Sequence, residues 1–119
     1  MNNVSNNIYL DNETTSMLID ALEEDFIDII KEYMQNAEQH IVSLKGMDVE
    51  RSRDMIDVVH ALKGSSGNVG AIYLSAICDK MESDLRLNKL SGIDEYVKDI
   101  DSTFRGTCEL LEKLIQEIS

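Results

Sequence analysis

Apolar residues recur at three- and four-residue spacing along almost the whole chain, and that period decides the class of fold. Thr14 to Leu22 reads as a short helix with Leu18 and Leu22 on one side. From Glu23 the series Phe26, Ile30, Tyr33, Ala37, Ile41 and Leu44 follows, and Gly46 is placed to stop it. Asp48 can cap the next helix, whose stripe is Met55, Val58, Val59, Leu62 and Val69 and whose end carries Gly64, Gly67 and Gly70. A third stripe, Ala71, Leu74, Cys78, Met81 and Leu85, closes near Asn88. After a turn at Ser91-Gly92 the last helix shows Tyr96, Val97, Ile100, Phe104, Cys108, Leu111, Leu114, Ile115 and Ile118. No run alternates with period two long enough to compete as a strand, and proline is absent. The expected fold is all-α: an antiparallel up-down-up-down bundle of four helices of roughly 16 to 25 residues, with a short extra N-terminal helix.

With 119 residues and no low-complexity linker or internal repeat, the chain reads as one domain spanning 1–119. Residues 1–10 open on a run of Asn, Val and Ser and are expected to be a mobile tail. Aromatic residues are 5% of the chain, so aliphatic side chains and methionine must fill the core. Cys78 and Cys108 form no Cys-x-x-Cys unit and fall on apolar stripes; they read as reduced core residues, which suits a cytoplasmic protein. Eleven basic against twenty-three acidic residues give a net charge of −12. That argues against nucleic acid and anionic membrane surfaces as partners, and otherwise describes a solvated acidic surface. No apolar stretch approaches the roughly 18 residues of a membrane span, and no signal peptide is expected. A monomer is the expected state.

One segment carries chemistry: His60-Ala61-Leu62-Lys63-Gly64-Ser65-Ser66-Gly67-Asn68-Val69-Gly70-Ala71. Placed on a helix at about 100° per residue, His60 points away from Met55, Val58, Leu62 and Val69. Arg53, Ile56 and Asp57 share its outer face upstream, and Lys63, Gly64 and Gly67 share it downstream. Each helical glycine costs about 1 kcal/mol relative to alanine, so two on one exposed face suggest room kept for another molecule beside the imidazole. An imidazole with a pKa near ~6.5 can attack phosphorus through one ring nitrogen, and the Lys63 ammonium would offset the added negative charge. Lys63-Gly64-Ser65-Ser66 has lysine before glycine, the wrong order for a phosphate cradle, and no carboxylate cluster for magnesium is apparent. Such a nucleophile must borrow both nucleotide and metal from a partner.

The segment resembles the histidine-containing phosphotransfer domain family of bacterial two-component phosphorelays. The family motif reads His-x-Leu-Lys-Gly-Ser-(Ser/Ala)-x-x-x-Gly-Ala, and the match runs from His60 to Ala71 without a gap. It continues through Leu74, Cys78 and Met81-Glu82, where the family usually has Leu-Glu, and upstream Glu24-Asp25-Phe26 and the Tyr33 helix resemble its first long helix. The resemblance covers roughly residues 10 to 118, with only the middle specific. It implies a four-helix bundle without catalytic activity of its own. His60 would exchange a phosphoryl group with a receiver-domain aspartate, Lys63 would balance charge, and Gly64 would keep the approach open. No cofactor is expected on the chain; the magnesium would belong to the receiver. The partners implied are receiver domains of response regulators, a hybrid sensor histidine kinase, or both.

Plainer readings stand beside these. His60 alone would be an ordinary surface histidine, and His40, beside Ile41 with no motif around it, is read as one. Asp57 three residues before His60 resembles half of a di-metal pair, but Ala37 stands where His40 would need its acid. Ser65 and Ser66 point coreward and are expected to bond back to a carbonyl. Ile56 reads as the edge of a docking patch. The competing functions are the phosphoacceptor domain of a chemotaxis-type kinase and a helical adaptor whose histidine is never phosphorylated.

Overall fold

The computed structural model describes residues 9–119, and among them it is all helical. Five helices follow in order: α1 (Asn12–Leu22), α2 (Phe26–Lys45), α3 (Ser52–Asn68), α4 (Ile72–Arg86) and α5 (Ile93–Ile118). The last four form the bundle, with α3 against α4, α4 against α5, and α2 closing on both α3 and α5. Short connections between neighbours make them antiparallel, as the sequence pattern requires.

The stripes predicted from period are the core. Phe26, Ile30, Ile41, Leu44, Met55, Leu62, Leu74, Met81, Ile100 and Leu111 are essentially inaccessible to water. On α3 the apolar axis runs through Val59, which is fully buried, rather than Val58, which is half-buried; the stripe is turned slightly from the one expected. Cys78 is buried and Cys108 half-buried, both as free thiols. Burial pushes each thiol up to about 12, which leaves them as packing groups rather than nucleophiles.

The connections are set by local chemistry. Asp48 does cap, but its carboxylate accepts from the Glu50 N–H of a 3₁₀ turn at Val49–Arg51, and α3 begins only at Ser52. Asn88 closes α4 in the left-handed region, with φ of 58°. Gly70 takes φ of 85° between α3 and α4, and a Cβ there would lie 3.0 Å from Thr15 Oγ1. No other residue type serves that turn without strain.

The N-terminal segment corrects the expectation of a mobile tail over 1–10. Residues 1–8 lie outside the described residues, but Tyr9 and Leu10 are packed. Leu10 is buried, and the Asp11 N–H donates to the Gly70 carbonyl at 2.7 Å. The Tyr9 ring fills the space left by Gly106 in mid-α5 and meets Tyr73 edge-on, with ring centres 6.4 Å apart. Apolar burial and a backbone hydrogen bond hold this strap across the α3–α4 turn, something a polar-looking N-terminus conceals.

Candidate functional site

α3 presents His60 because Met55, Val59, Leu62 and Ser66 take its inner side. Ser66 is fully buried and shares a 2.7 Å hydrogen bond with the Tyr33 hydroxyl of α2, fixing the rotation of the helix two turns beyond His60. The expectation that Ser66 would bond back to a carbonyl is therefore corrected; Ser65 does so, donating to the Leu62 carbonyl. A second tie is Ser75 on α4, whose hydroxyl donates to the Lys63 carbonyl at 3.0 Å.

The His60 side chain is 63% exposed, and its Nδ1 lies 3.0 Å from Glu82 Oε2 on α4. Glu82 is only 7% exposed, and three groups converge on it. Arg86 donates to the same Oε2 from Nε at 3.0 Å and from its terminal nitrogen at 2.7 Å. Lys63 Nζ is 3.0 Å from Oε1 and 3.3 Å from Asp79 Oδ1. Burial by itself would raise the Glu82 pKa, but the hydrogen bonds from Arg86, Lys63 and His60 outweigh it and hold the carboxyl at about 2. Hydrogen bonds to Glu82 and then Asp79 likewise raise Lys63 above the ordinary lysine value.

A consequence for the imidazole follows from valence. An ionised carboxylate only accepts hydrogen bonds, so the nitrogen facing Glu82 carries the hydrogen. Nδ1 is thereby spoken for, and in the neutral ring the lone pair is left on Nε2. The carboxylate beneath the ring also stabilises any positive charge that develops on it.

Of the residues expected around His60, Arg53, Asp57, Gly64 and Gly67 are exposed, as the helical wheel required. A Cβ built on Gly64 meets no atom within 4 Å, so the space beside the imidazole is open solvent. Ile56 is less exposed than the helical wheel suggested: it is half-buried and packs against the core. At the start of α4, Ile72 and Tyr73 are apolar and each 47% exposed. Ile72 joins Lys63, Gly64, Gly67, Ser75 and Ala76 around a shallow hollow of about 530 Å³. His40 is also half-buried, with its Nδ1 shielded and unpaired among the described residues.

Sequence reasoning missed Glu82, Asp79 and Arg86 as parts of the site. Glu82 stood in the matched motif, and its acidic side chain one position from Met81 on a core stripe was the available signal: a buried carboxylate needs partners.

A surface imidazole braced by a buried carboxylate and flanked by lysine stands on the side of this four-helix bundle, an arrangement that fits the resemblance to histidine-containing phosphotransfer domains. Comparison with known families agrees: the Hpt domain model matches residues 21–119, and the chain belongs to that family. Hpt domains are phosphorelay intermediates, carriers that work with receiver domains rather than enzymes in the usual sense. The fold is similar to that of histidine-containing phosphotransfer protein B from Pseudomonas aeruginosa PAO1, with a TM-score of 0.86 at 20% identity over 92% of this chain and 96% of that one. A rice protein described as a histidine-containing phosphotransfer protein superposes with a TM-score of 0.58, also at 20% identity, over 92% of this chain and 88% of that one. The curated proteins give no match. Among the described residues, no helix is long and apolar enough to cross a membrane.

Proposed function

We propose that His60 is the phosphoacceptor and that the chain passes a phosphoryl group between receiver-domain aspartates. The observation that carries this reading is the Glu82 carboxylate on Nδ1, which commits Nε2 to attack. The Nε2 lone pair forms a bond to phosphorus as the bond from phosphorus to the aspartate oxygen breaks, and the aspartate leaves as a carboxylate. The ring becomes positively charged, keeps its Nδ1–H, and is stabilised by Glu82. Lys63 and Arg86, both held at Glu82, are the cations nearest by contact to supply positive charge that offsets the new phosphoryl group. The reverse transfer runs the same steps backwards. Magnesium and its carboxylate ligands belong to the receiver, and the chain supplies only nucleophile, charge balance and clearance.

The test is label transfer from a phosphorylated receiver to wild type, His60→Gln and His40→Gln. Acid-labile label is expected on wild type and His40→Gln and absent from His60→Gln. Label retained by His60→Gln and lost from His40→Gln would refute the assignment.

A further inference from the structure

Lys63 is held between two carboxylates of α4. Its ammonium lies 3.0 Å from Glu82 Oε1 and donates to Asp79 Oδ1 at 3.3 Å. The two acids are unlike. Glu82 is buried, and its other oxygen already meets Arg86 and His60. Asp79, one turn earlier, is 69% exposed, and its carboxylate has no partner besides Lys63 among the described residues. Water would solvate that carboxylate equally well, so burial does not explain the contact. The charge sum shows what Asp79 changes. Lys63 and Arg86 bring two positive charges to the network beneath His60; Glu82 removes one and Asp79 the other. Without Asp79 the network would carry a spare positive charge, free to hold a phosphoryl dianion on the imidazole. With Asp79 in place, the phosphoryl group must compete for the Lys63 ammonium with a standing hydrogen bond.

From this arrangement we infer that Asp79 is a positioning residue that sets the transfer potential of the phosphorylated histidine. By holding Lys63 it weakens the electrostatic grip on the phosphoryl group, so that His60 releases the group as readily as it takes it. The inference rests on His60 as phosphoacceptor and adds why a carrier built around a lysine does not become a sink. Transfer exchanges a bond from phosphorus to an aspartate oxygen for one to Nε2, and nothing else is consumed. The direction of flow therefore depends on the relative stability of the two phosphorylated side chains. A charge that stabilises one and not the other moves the balance. An exposed ammonium–carboxylate contact amounts to a factor of up to about five in an equilibrium constant, which sets the scale of the effect.

The measurement is the equilibrium constant for phosphoryl exchange between the carrier and one receiver domain, taken as the ratio of forward and reverse second-order rates. A residue that acted only in docking the receiver would change both rates alike and leave the ratio untouched. Asp79→Asn is expected to shift the ratio about fivefold towards phosphorylated carrier, and Asp79→Glu to stay within about twofold of wild type. Asp20→Asn removes the same charge from an exposed position on α1 and should also stay within about twofold. In a Lys63→Gln background Asp79→Asn should shift the ratio less than about twofold, because the ammonium it holds is gone. Glu82 and then Asp79 raise the Lys63 pKa, so NMR titration of Lys63 should move back towards the ordinary lysine value in Asp79→Asn. An unchanged ratio in Asp79→Asn, an equal shift in Asp20→Asn, a full shift retained without Lys63, or an unmoved Lys63 titration would each overturn the inference. Failure of wild type to take label at His60 from either phosphoramidate or a phosphorylated receiver would instead overturn the phosphocarrier reading beneath it.

Discussion

Gly64 is where stability and transfer are expected to move in opposite directions. It lies within α3, one turn past His60, with helical backbone and no atom within 4 Å of a Cβ placed on it. Alanine therefore introduces no clash and gains helix propensity while narrowing the unfolded ensemble, together up to about 1 kcal/mol. For a domain of this size that raises Tm by roughly 3–6 °C. Glutamine keeps most of the gain because its side chain runs into water. Either side chain then occupies the space through which a receiver brings phosphorus to Nε2. Displacing reacting groups by about 1 Å costs on the order of 10²-fold, so Gly64→Gln is expected to lose about that much in transfer rate, and Gly64→Ala less. The assays are a thermal melt by circular dichroism, transfer from a phosphorylated receiver, and labelling by phosphoramidate. The small donor should still label Gly64→Gln, since clearance for a protein is lost while the nucleophile is intact. Normal receiver transfer by Gly64→Gln would refute the clearance argument. A lowered melt in Gly64→Ala would refute the helical account of its stability.

Glu82→Gln removes the charge beneath the ring, so ¹⁵N NMR of His60 should show a shift from the Nδ1–H tautomer towards a mixture, with transfer slowed roughly tenfold. The same variant tests pH dependence: a carboxyl lowered from 4.5 to about 2 stabilises the fold fully above pH 4.5 and loses that contribution as pH falls towards 2. Wild type should therefore lose its advantage over Glu82→Gln across that window in acid titrations monitored by circular dichroism, and an unchanged difference would contradict the assigned shift. Ser66→Ala leaves the buried Tyr33 hydroxyl unpaired, at a cost of about 1–3 kcal/mol by denaturant unfolding, with little effect on phosphoramidate labelling.

The helical period alone determined the bundle. Stripes such as Phe26-Ile30-Tyr33-Ala37-Ile41-Leu44 can be buried only on one side of a helix, and four of them with short connections leave few arrangements open. The outward direction of His60, the open side at Gly64 and the proximity of Lys63 followed from the same period, because all lie within two turns of one helix. What the sequence left undecided lay between elements. Whether Ile56 faced water, whether Tyr9 and Leu10 were free, and what Nδ1 of His60 touched all depend on which surface of a neighbouring helix arrives opposite. Tyr9 could be placed only once Gly106 of α5 was seen to leave room for its ring. Glu82, twenty-two residues from His60, takes its role from the register of α4 against α3, set by packing around Leu62, Leu74, Cys78 and Met81 and by the Ser75 bond to the Lys63 carbonyl. Local periodicity specifies directions around one helix axis; the ring nitrogen left to react was decided by a contact between two helices, which only the packed core fixes.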